Sequence, residues 1–155
     1  MHENEQDVLA LLIRHELALK RLYEVFSKTL KKDEQFWQNL AAEEEKHAQW
    51  LSKFKSHSNV ALWLQHNIKV KPQAIRMSTE YVEGQTEKAG QGSFSSMQAL
   101  SIVRDLESAL LERQFFKLKD TAPKELSMVM TRLAGETERH LKTVTEKFFL
   151  EKQKN

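Results

Sequence analysis

The chain has 155 residues, 40% of them hydrophobic, with 24 basic and 22 acidic residues and a formal charge of +2. That is enough chain for one sizeable core and too little for two, and charges so evenly scattered make no basic stripe for a nucleic-acid backbone. With no cysteine, disulfides, thiolate zinc sites and iron–sulfur clusters are excluded, so any metal must be held by oxygen and imidazole nitrogen.

Four glycines and two prolines against abundant Leu, Ala, Glu, Lys and Gln favour long helices, and the expected class is all-α in a single domain spanning 1–155. The N-terminal stretch is acidic before its apolar run and soon meets a charge, which fits neither a signal peptide nor a membrane span. A soluble, cytoplasmic protein is expected.

Apolar residues recur at helical spacing from about Val8 to Leu30, and Leu9, Leu12, Leu19, Tyr23, Phe26 and Leu30 trace one seam. After a short turn at "KKD", Asp33 is positioned as N-cap of a second helix with seam Trp37, Leu40, Glu44, His47, Leu51 and Phe54. The two should form an antiparallel hairpin. From about 56 to 94 the pattern weakens into a crossover containing a short helix, "SNVALWLQHN", another starting at Pro72, and a "GQGS" break. Ser95 and Gln98 make a capping box for a third long helix, seam Leu100, Val103, Glu107, Leu110 and Gln114, running to about Lys119. The fourth follows Pro123 with seam Leu126, Met130, Leu133, Thr137, His140, Val144 and Phe148, and closes in a charged tail expected to fray. Two hairpins and a long crossover make a four-helix bundle.

An internal repeat supports the division: "LAAEEEKH" at 40–47 and "LAGETERH" at 133–140 agree in five of eight places. Each helix also carries a polar residue where its period calls for an apolar one: Glu16, Glu44 with His47, Glu107, and Thr137 with His140. Carboxylates inside a bundle need counter-charges, water or a cation. Glu44 and His47, three apart, share a helix face and can hold one ion between them. Taken singly, the acids also fit solvated flanks and the histidines fit hydrogen-bonded core residues. Tyr23 shares a face with Glu16 and could hydrogen-bond a ligand carboxylate, but reads first as a core filler; the aromatic residues read as core or dimer contacts, and His2, His15, His57 and His66 as mostly surface.

Through "RHELALKRLYEVF", "LAAEEEKHAQWL", "ALSIVRDLESALLERQFF" and "RLAGETERHLKTV" the chain resembles the ferritin-like superfamily, and within it the rubrerythrin-like branch. The resemblance covers both hairpins. It implies a bundle holding two irons, with Glu16 and Glu107 as terminal ligands, Glu44 bridging, and His47 and His140 each on one metal. It also implies peroxide- or dioxygen-reducing chemistry, an external electron donor and a homodimer. Thr137 stands where the family has its second bridging glutamate, which leaves two divalent ions one negative charge short and should weaken the second. Glu136, on the same helical face as His140, is the candidate substitute. The cofactor expected is iron, one or two ions, with zinc or manganese as other occupants. The competing expectation is a degenerate binding or structural module holding one metal ion or none.

Overall fold

The computed structural model describes residues 7–69, 71–109, 117–118 and 120–154, which form six α-helices with no strand among the described residues. Helix α1 (Val8–Thr29) starts on Asp7, whose carboxylate accepts from the Ala10 N–H at 3.2 Å. A 3-10 turn, Lys31–Asp33, leads into α2 (Glu34–Ser52). Asp33 takes the N-cap position without a capping bond; its carboxylate instead meets Lys147 Nζ at 3.0 Å.

The crossover contains α3 (Ser58–Asn67) and α4 (Pro72–Gly90), the latter opening on the expected proline. Gly92, at φ 75°, supplies the left-handed turn that other residues rarely adopt. The predicted capping box then opens α5 (Ser96–Glu107): Ser95 Oγ accepts from the Gln98 N–H at 3.2 Å, and the Gln98 side chain accepts from the Ser95 N–H at 2.9 Å. The described helix ends at Glu107; Leu110 and Gln114 of the predicted seam, Phe115 and Phe116, and Lys119 lie outside the described residues. Helix α6 (Lys124–Gln153) follows Pro123 and continues through most of the tail expected to fray, where Lys32 Nζ meets Glu151 Oε1 at 2.5 Å.

Helix α1 packs on α2 and on α4, α5 packs on α6, and α2 meets α6. The crossover is therefore more than a strap: α4 buries Ile75, Thr79, Val82 and Ala89. The interior divides into two apolar clusters. One contains Leu12, Leu51, Leu126 and Met130, the other Leu22, Phe26, Trp37 and Val103. Each fully buried side chain of this size contributes about 1.5–3 kcal/mol relative to exposure. Along α1, α2, α4 and α6 the chain leaves one cluster and enters the other, and the buried residues between them are polar: Glu16, then Glu44 and His47, Thr79, and Thr137 and His140. A polar layer thus crosses the middle of the molecule. Among the described residues no helix is long and apolar enough to cross a membrane.

Candidate metal centre

The seam positions deliver their side chains to that layer. Glu16, Glu44, His47, Glu107 and His140 are all buried, none above 5% exposed, and they converge. His47 Nδ1 lies 3.3 Å from Glu44 Oε2 and 3.9 Å from Glu16 Oε2. His140 Nδ1 lies 3.5 Å from Glu44 Oε1 and 3.6 Å from Glu107 Oε1. The imidazoles face each other nearly parallel, ring centroids 5.7 Å apart and planes inclined by 20°. Besides an outer, half-buried group of Glu43, Glu136 and His140, two inward ligand triads result, Glu16–Glu44–His47 and Glu44–Glu107–His140, the donor atoms of each group within 4.8 Å of one another. Glu44 belongs to both and turns a different oxygen to each histidine.

This donor set fits a cation. Three carboxylates and two imidazoles suit iron, zinc or manganese. Two buried atoms, Glu16 Oε2 in one triad and His140 Nδ1 in the other, have no hydrogen-bond partner, a cost that a cation held in each triad would remove. Glu107 occupies the last turn of α5, where the helix dipole adds negative potential and strengthens the need for positive charge.

Thr137 is buried at the expected place, but Glu136 does not reach inward beside it. Its Oε1 sits 2.8 Å from His47 Nε2, on the outer edge of the ring. Glu43 does the same on the other side, its Oε2 in contact with His140 Nε2. Arg139 spans both acids, 3.2 Å from Glu43 and 3.8 Å from Glu136. Glu43 escaped the sequence reading because it lies off the seam, although the repeat aligns it with Glu136. Tyr23, read as core filler, is fully buried and also donates to Glu107 Oε1 at 2.8 Å. His15, grouped with the mostly surface histidines, is buried, with Nε2 2.8 Å from Ser78 Oγ. The reason is α4, which covers this side of α1. His57 and His66 are exposed and His2 lies outside the described residues.

Electrostatics follow from this crowding. Burial, then the neighbouring Glu44, pushes Glu16 up to about 8, with His47 opposing. For His47 burial works downward, but Glu16 and Glu44 outweigh it and raise the imidazole to about 12. His140 is likewise raised to about 11, Glu107 and Glu44 overcoming the loss of solvent. Glu44 is held below its ordinary value despite its burial, through its contacts with Glu16, His140 and His47. Without a cation, two imidazolium ions neutralise the carboxylates. A bound cation would take the place of their inner protons.

A cleft of about 190 Å³ between α2 and α6 is lined by Phe36, Asn39, Leu40, Glu43, Arg139, His140 and Thr143. No protein-family model, curated protein or solved structure matches the chain.

Proposed function

We propose that the chain is a ferritin-like, rubrerythrin-like metal protein that binds one or two iron ions within its bundle and reduces peroxide or dioxygen with electrons from an external donor. The observation that carries this reading is the pair of ligand triads sharing Glu44. A carboxylate offering one oxygen to each of two histidine-bearing positions is what a bridged pair of ions requires. Glu16 and Glu107 would serve as terminal ligands, and His47 and His140 would each help to hold one ion. Tyr23 holds Glu107 in place by its hydrogen bond. Bound iron would supply the redox equivalents, changing oxidation state as the oxygen substrate is reduced. The apolar clusters on both sides of the layer exclude bulk water from the reaction. The test is metal content after iron-replete expression and purification without chelator. About two irons per chain with an optical change on adding peroxide is the expected result, and a chain free of metal overturns the reading.

A second reading, a degenerate ferritin-like module holding one ion or none, is favoured by Thr137 and by the internal neutralisation of the acids by His47 and His140. Metal content of the parent chain separates the two, and Thr137→Glu tests the gap: if the missing charge limits loading, the variant takes up more metal than the parent, and if loading is unchanged, either Glu136 already fills the role or the site is not there.

A further inference from the structure

Glu43 and Glu136 are the layer's outermost acids, and the arrangement they make is reciprocal. Glu136 of α6 meets Nε2 of His47 on α2, while Glu43 of α2 meets Nε2 of His140 on α6. Both acids precede their own helix's histidine by four residues, and they occupy the same place in the internal repeat. Each helix therefore braces the histidine of the other. Resting on the metal-binding reading above, we propose that Glu43 and Glu136 are positioning residues of the centre. They turn Nδ1 of His140 and His47 inward and supply, from outside the cavity, the negative charge that Thr137 does not supply from inside.

The argument has two parts. A neutral imidazole carries one N–H, and a carboxylate beside Nε2 keeps the proton there and leaves the Nδ1 lone pair free for an ion. Both Nδ1 atoms lie on the side of Glu44, and both Nε2 atoms lie on the side of the outer acids. Charge is the second part. Glu16, Glu44 and Glu107 leave two divalent ions with one positive charge in excess. Glu43 and Glu136 add two negative charges and Arg139 returns one positive, so the whole assembly balances the pair. This accounts for a threonine at a position where a ligand acid would otherwise stand: the acid is displaced by one residue and acts through the ring of His47.

The test uses cobalt(II), whose visible absorption reports its coordination, titrated into the intact chain against a competing chelator. Glu136→Gln and Glu43→Gln keep hydrogen-bonding oxygens but lose the charge. Each is expected to lower affinity by about 10- to 100-fold, with changes in the cobalt spectrum and in the imidazole N–H resonance of the histidine across from it. Glu138→Gln removes the same charge from the exposed face of α6 and should bind as the parent does. Adding Thr137→Glu to Glu136→Gln should restore the lost affinity. If both single variants bind cobalt as tightly as the parent, the inference fails while the metal reading stands; if the parent binds no cobalt, both fail. A variant that melts earlier yet keeps the parent's affinity and spectrum would show a merely structural role and also overturn the proposal.

Discussion

Glu44 is the residue on which the centre turns, since its two oxygens address two histidines and its charge, with that of its neighbours, keeps both rings protonated. The sign of the pH response follows. His47 and His140 hold protons to about 12 and about 11, against an ordinary 6.5, and Glu16 to about 8, against an ordinary 4.5. Groups raised on folding stabilise the metal-free fold fully below their unfolded values and lose that contribution as pH rises through their folded ones. Glu43 and Glu44, held low, act oppositely, and their contribution is lost as pH falls below the ordinary carboxylate range. Metal-free stability should therefore decline from mildly acidic to alkaline pH, while metal affinity climbs over the same interval. At neutral pH about three protons should leave per fully loaded chain, one each from Glu16, His47 and His140. Calorimetry in buffers of different ionisation enthalpy measures that number, and zero release would contradict the arrangement. Tyr23→Phe removes the donor to Glu107 and should cost about 1–3 kcal/mol, read by urea unfolding of the metal-free chain. The five buried acids and histidines of the layer, Glu16, Glu44, His47, Glu107 and His140, were legible in the sequence because each breaks an apolar period. Glu43 was not, because a carboxylate off the seam looks like a solvated one, and the bond from Tyr23 was legible only as the lesser of two readings, because a tyrosine on the seam also looks like filler.

Among the elements, the helix starts show which local signals carry through. Ser95 and Gln98 form the reciprocal cap that their spacing predicts, and Ser95→Ala should lower stability by about 1 kcal/mol in chemical denaturation while leaving metal stoichiometry untouched. Asp33 has an equally suitable side chain and stands at the N-cap, yet spends its carboxylate on Lys147, a partner more than a hundred residues away that no local pattern reveals. Helix α1 carries the other lesson. It buries Val8, Leu9, Leu11, Leu12 and Ile13 almost consecutively, more than one stripe of an amphipathic helix needs. Such a run is the sequence's own sign of a helix covered on two sides, by α2 and by α4, and it explains why His15 is buried. The seam reading captured the face towards α2 and passed over the second.

At the scale of the molecule, the polar layer lies between two apolar clusters and draws on α1, α2, α5 and α6, so an ion bound there would tie both halves together. Metal that binds only the folded chain at 100 times its dissociation constant should add about 2.7 kcal/mol of stability, visible as a higher melting temperature. It should also slow hydrogen exchange in α5 and α6 as well as in α1 and α2; protection confined to one pair would contradict a shared centre. All-α architecture and the position of the layer were readable from composition and period. The extent to which α4 joins the core was not, since its apolar residues are few and gain meaning only against α1.

With apolar clusters above and below the layer, the described cleft that touches it is the lateral one, which has His140 in its lining. If the proposed peroxide chemistry holds, a cleft of about 190 Å³ would favour small reactants: hydrogen peroxide should turn over faster than a bulky organic hydroperoxide, and widening the cleft with Phe36→Ala should shrink the difference.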